Sequence, residues 1–212
     1  MITPSPVYQG QFGDFTIDDQ DRRDVILYRT GLGMVGLSVI LGTGLILRLP
    51  PTGGLLQALT ALFALFSLGL GLSLWKIHIY LVPLHRLLQT FWAIGTATAL
   101  LLGLMHSEPL LAYVYHNPSS LWGLGFSFAA LTGIFFKEAF CFNRLETKCL
   151  TPLLPILILG HLFHWLTLEA EQILLALLAG LLLIFVVRKS IQPIPPDIGD
   201  KSVFTYLKQR QA

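Results

Sequence analysis

Six apolar runs, each close to the length that crosses a bilayer, leave this chain few architectures. They occupy residues 30–47, 55–75, 87–105, 121–136, 150–166 and 172–187. A hydrocarbon core of ~30 Å takes about 20 apolar residues as a helix, with about 17 the short limit. In lipid every backbone N–H and C=O needs an internal partner, and a helix supplies one within the segment. The expected fold is all-α: a polytopic helical membrane bundle of six transmembrane helices. It spans residues 25–189, between a polar N-terminal tail (1–24) and a C-terminal tail (190–212). The last three runs are short and are expected to extend into their flanks. Only residues 164–172 separate the last two, which predicts a tight hairpin.

Composition agrees with this class. Charged residues make up 12% and hydrophobic residues 54%, whereas soluble domains average about 25% charged. A net charge of +2 is too small to imply a nucleic-acid partner. The placement of the charges is more informative. The N-terminal tail, second loop, fourth loop and C-terminal tail hold thirteen of the fourteen basic residues, and Arg48 alone lies on the other side. The positive-inside rule then puts both termini in the cytoplasm or its organellar equivalent. Five or seven spans would scramble this separation.

The first 24 residues are too polar for a cleaved signal, carrying Asp14, Asp18, Asp19, Asp21 and Asp24; the first span is expected to act as an uncleaved anchor. Gly10 and Gly13, with Tyr8, Phe12 and Phe15, predict a short turn-rich piece. Asp18 is the expected helix N-cap, with Asp21 in the first turn. Beyond the last span, Pro193, Pro195 and Pro196 predict an extended segment, and residues 202–211 a short helix.

Small residues repeat every four positions: Gly95, Ala99 and Gly103; Gly125, Ala129 and Gly133; Ser67 and Gly71; Ala176 and Gly180. Such stripes let helices approach closely.

No Asp, Glu, Lys or Arg falls inside the six runs as bounded above. Ion-coupled transporters place such residues in the membrane, so transport remains only as a route for a neutral solute. His161 and His164 are the most unusual polar residues in the spans, in the outer half of the fifth. They are the candidate cofactor ligands, for haem or chlorophyll through His161 above all. His106, Glu108, His116, Glu169 and Glu171 share that end, but the spacing marks out no metal site. Ser127 and His161 are expected at similar depth, which raises a serine–histidine dyad. Rhomboid proteases have a Gly-x-Ser motif in their fourth helix that continues with Gly, and a histidine in their sixth. Here Phe128 stands where that glycine would, and the sixth run has no histidine.

The polar stretch 137–149 reads as a cytoplasmic loop. Lys137, Glu138 and Arg144 are its candidate partner contacts, together with the tails. Cys141 and Cys149 within it form a candidate redox pair; two cysteines imply no disulfide framework.

Tyr8-Gln9-Gly10-Gln11-Phe12-Gly13, then Asp21-Arg22-Arg23, resembles the start of an uncharacterised integral membrane protein family of cyanobacteria and chloroplasts that carries a domain-of-unknown-function label. Phe136-Lys137-Glu138-Ala139-Phe140-Cys141-Phe142 and Thr151-Pro152-Leu153-Leu154-Pro155, with Gly160-His161, are similar to it too. The resemblance implies a thylakoid or plasma membrane, and an accessory role in building or maintaining a photosynthetic complex. It assigns no catalytic residue. The expectation is a non-enzymatic accessory protein, with cofactor binding and neutral-solute transport as rivals.

Overall fold

The computed structural model describes residues 6–211; residues 1–5 and 212 of the tails, and the side chains of Lys208, Arg210 and Gln211, lie outside the described residues. Among the described residues, six helices are long and apolar enough to cross a membrane. They are α1 (Asp19–Arg48), α2 (Gly53–Lys76), α3 (Val82–Met105), α5 (Leu121–Phe142), α6 (Leu145–Leu162) and α7 (Leu168–Ile191). Short α4 (Leu110–His116) and a single 3-10 turn, Pro118–Ser120, bridge α3 and α5.

Helices α1, α2 and α7 start on side-chain caps. Asp18 accepts from the Asp21 amide while Asp21 accepts from the Asp18 amide, a reciprocal capping box. Thr52 and Thr167 cap α2 and α7 through their hydroxyls. At about 1.5 Å per residue, the 30 residues of α1 run about 45 Å. That exceeds the ~30 Å core, so its first turns stand clear of the membrane at the basic end.

The helices form a closed ring: α1 packs on α2, α2 on α3, α3 on α5, α5 on α6, α6 on α7, and α7 back on α1. Tyr28, Leu32 and Val35 of α1 meet Leu70, Leu74, Leu131, Ile134, Leu150, Leu182 and Phe185 in one core. Helix α3 is the most peripheral and buries only Leu88 and Gly95.

The tightest crossing joins α1 and α2 at a pair the spacing-four stripes do not include. A Cβ on Gly31 would strike the Gly69 carbonyl and Ser73, and one on Gly69 would strike the Gly31 carbonyl at 2.7 Å. Only glycine lets these backbones meet. Of the expected stripes, Gly71, Gly95 and Gly133 face Trp92, Ser127 and Leu88, whereas Gly103, Gly125 and Gly180 have no other element within 4 Å.

Three boundaries differ from the sequence reading. The turn-rich N-terminal piece is a β-hairpin, β1 (Val7–Gly10) with β2 (Gly13–Thr16). The fourth loop shrinks to Asn143 and Arg144, because α5 runs on to Phe142 and α6 begins at Leu145. Asn143 takes the left-handed conformation that ends α5. The proline segment is not extended: Pro195 and Pro196 open a one-turn helix, α8 (Pro195–Ile198), where their missing N–H groups cost nothing. The expected last helix is α9 (Lys201–Gln211).

Hairpin and α9 clasp each other at the basic end. Asp200 accepts from the Gln11 amide at 2.6 Å, the Ser202 hydroxyl from the Phe12 amide at 3.0 Å, and Phe12 stacks on Tyr206 at 4.0 Å. Gly10 permits the approach, since a Cβ there would strike Asp200 and Ser202. Ile17, Val25 and Ile198 form a small second core beneath the hairpin.

Candidate functional site at the basic end

Charged residues converge where α1, α5, α7 and α8 meet. Glu138 accepts from Lys189 at 2.5 Å, from the Tyr28 hydroxyl at 2.8 Å and from Lys137 at 3.0 Å. Lys189 also donates to Asp197 at 2.6 Å. Asp197 pairs with Arg29 at 2.7 Å and accepts from Gln192 at 3.1 Å. The side chains of Glu138, Lys189 and Asp197 are at most 1% exposed. The Phe142 ring lies 4.2 Å from the Lys189 ammonium and adds its quadrupole. Arg29 further donates to the Gln192 and Pro193 carbonyls, and Arg144 to the Gln192 side chain. Buried charges taken from water need such pairing, because each loses several kcal/mol of hydration.

This centre corrects two expectations. Lys137 and Glu138 are not solvated loop charges offered to a partner: they sit on α5, 9% and 0% exposed, turned into the bundle. Nor are the six helices free of charge. However, Glu138 is four residues from the end of α5 and Lys189 two from the end of α7, or about 6 and 3 Å along the axis. The centre therefore lies near the membrane surface rather than at mid-depth.

Helical phase is the signal that finds these residues. Ser127, Leu131, Ile134 and Glu138 follow one buried stripe of α5, and Leu178, Leu182, Phe185 and Lys189 one of α7. Both charges continue a core face at the 3.6-residue period.

The outer histidines are separated in role. His161 Nδ1 lies 2.9 Å from Glu171 Oε1, joining α6 to the first turn of α7. His164 has φ 56° and ends α6: its amide donates to the His161 carbonyl, and the Trp165 amide to Gly160. That is a Schellman motif with histidine in the left-handed position. His164 also lines a shallow outer cavity of about 390 Å³ with His116 and Trp122. Among the described residues, no three His, Cys, Asp or Glu converge as metal ligands would.

The Ser127–His161 dyad does not form. Among the described residues, Ser127 Oγ, buried against Gly95, has no hydrogen-bond partner, while His161 holds Glu171. Cys141 and Cys149 are both exposed free thiols.

Outside the spans, burial pushes the His78 imidazole below its ordinary value and the Tyr80 phenol above its own. The Gln11 amide and the Ser202 hydroxyl hold the Asp200 carboxyl down.

The profile of a family described as "Uncharacterized integral membrane protein (DUF2301)" matches residues 72–206. A Haemophilus influenzae protein described as "Uncharacterized protein" is 30% identical over 193 residues, covering 89% of this chain and 94% of its own length. No solved structure matches. The Haemophilus relative widens the lineage that the resemblance implied, since it comes from neither a cyanobacterium nor a chloroplast.

Proposed function

The chain belongs to the DUF2301 family of integral membrane proteins, and from that premise we propose that it is a non-enzymatic membrane accessory protein that presents a rigid platform to a partner complex. One observation carries the reading. The ionic centre and the clasp bind both tails onto the bundle: Arg29, Glu138, Lys189 and Asp197 hold the end of α7 and α8, and Asp200 holds the hairpin. Charges spent on internal pairs near the membrane surface suit a scaffold better than a conduction path, whose sites gather near the midplane. The platform keeps apolar groups outward, Val7 at 65% and Leu145 at 73% exposed, with Arg144, next to Leu145 in the chain, as the remaining loop contact. In a photosynthetic cell the partner would be a photosynthetic complex in the thylakoid or plasma membrane; elsewhere it would be another membrane assembly.

The test is recovery of the tagged full-length protein from gently solubilised native membranes, with subunits quantified by mass spectrometry. Stoichiometric recovery of one complex, lost in V7D, is the expected result. Recovery of the chain alone, or turnover of a substrate by the purified chain, would overturn the reading.

A second reading has its own observation. A carboxylate on one ring nitrogen of a histidine orients the other toward a ligand, and Glu171 stands in that relation to His161. His161 would then hold a haem or chlorophyll at the outer surface, with His164 shaping the turn beside it. An absorption spectrum of the purified protein without haem or chlorophyll bands would dismiss it.

A further inference from the structure

Next to the ionic centre is a cavity of about 620 Å³ that the pairing does not fill. Lys137 and Phe142 of α5 line it, with His78 and Tyr80 from the α2–α3 connection. Its rim includes Leu81, Phe136 and Phe140, which are 61%, 54% and 82% exposed. We propose that this cavity takes the phosphate headgroup of an anionic phospholipid from the leaflet at the basic end, with the acyl chains against that rim.

Four features converge on this ligand. The centre is unbalanced: Arg29, Lys137 and Lys189 face only Glu138 and Asp197. A surplus charge held away from water calls for a counter-ion. The surplus falls on Lys137, because Asp197 also borders the cavity but is already matched by Arg29 and Lys189. Lys137 is nine-tenths buried, and among the described residues its ammonium makes one hydrogen bond, to Glu138. An ammonium has three donors.

The start of α3 borders the same space. Leu81 and Leu84 line the cavity and no side chain caps this helix; Pro83 in its first turn has no N–H, so the free amides there are those of its neighbours. A helix N-terminus favours an anion through its free amides and its dipole. The Tyr80 hydroxyl accepts from the Asp200 amide at 2.5 Å, which leaves its own hydrogen to donate.

Depth selects lipid over a soluble ester. The cavity lies where α5 ends and α3 begins, level with the membrane surface, and its rim is apolar. Anionic lipids concentrate in the cytoplasmic leaflet. The cavity shares α8 with the platform, but the inference is independent of the scaffold reading, since it turns on the charge balance at Lys137 and not on any protein partner.

Cys141 lines the cavity and Cys149 does not, yet both are exposed. The wild-type protein therefore reports on occupancy through its own thiols. Maleimide labelling in detergent would be followed with added phosphatidylcholine, phosphatidylglycerol or soluble glycerol phosphate. Phosphatidylglycerol at about ten times its dissociation constant is expected to slow Cys141 roughly tenfold, by simple occupancy. Cys149 should not change, and phosphatidylcholine should not protect. Equal Cys141 rates in the two lipids overturn the proposal. Equal protection by glycerol phosphate overturns the lipid source and leaves a soluble phosphate ester. K137Q is expected to abolish the difference between the lipids, and full protection in a folded K137Q would remove Lys137 from the site. Should K137Q fail to fold, the wild-type labelling decides alone.

Discussion

Lys189, in the last turn of α7, meets Glu138, near the end of α5, at 2.5 Å, and neither side chain is more than 1% exposed. A buried pair of this kind is not by itself a large source of stability, since desolvation offsets most of the attraction. Its importance is that neither partner tolerates the loss of the other.

Removing one charge should therefore cost more than removing both. E138Q takes from Lys137 and Lys189 the carboxylate they share, and such a break typically costs about 3–5 kcal/mol. The double variant E138Q/K189M is expected to be less destabilised than E138Q alone. Unfolding in detergent, followed by intrinsic tryptophan fluorescence, measures this; strict additivity would show that the two residues do not act as a pair.

Acid should loosen the basic end through His78. Burial is the main cause of its lowered pKa, Lys137 adds to it, and Asp21, Asp24 and Asp197 oppose it. The unfolded chain then binds a proton more readily than the folded one, so stability rises with pH across the gap between the two values. The contribution is complete above the unfolded value of about 6.5 and declines as pH falls below it. The thermal midpoint should drop over that range in wild type and drop less in H78Q. Identical profiles for the two proteins would exclude His78 as the cause.

The α1–α2 crossing should reject any side chain at Gly31. In G31A the new methyl group meets the Gly69 carbonyl and Ser73, which are backbone and short side chain and have little room to yield. Overpacking of this sort costs about 1–3 kcal/mol. Gly44, on the same helix, has nothing within 4 Å, so G44A serves as the control and should unfold no earlier than wild type.

Ser127 offers a prediction of the opposite sign. Its hydroxyl is buried without a partner, a state that costs about 1–3 kcal/mol relative to a satisfied group. S127A should therefore be neutral or stabilising in the same unfolding assay, and marked destabilisation would mean that the hydroxyl has found a partner after all.

The helices were legible because length, apolar content and charge sidedness all report on the same bilayer. What escaped was the assignment of charges at span ends. Lys137 and Glu138 stand at the head of a polar stretch, and Lys189 follows Arg188, so each looks like an interfacial charge. Only the continuation of helical phase separates the buried Lys189 from Arg188, whose side chain is half exposed. Asp197 had no phase to follow, because it sits in a one-turn helix after three prolines and reaches the centre only through the path of the folded chain. The Gly31–Gly69 contact was equally hidden: each glycine is one of several on its helix, and which of them face each other depends on how the helices are rotated.

The clasp between Gln11 and Asp200 joins residues 189 apart in the chain, with all six membrane-crossing helices between them. Two ends meet on one face of a membrane only after an even number of crossings. A nascent chain in which one helix failed to insert would hold the hairpin and Asp200 in different compartments, and the clasp could not close. Its closure is thus a parity check on insertion, completed only when the final crossing has been made and Asp200 has emerged on the same side as the hairpin.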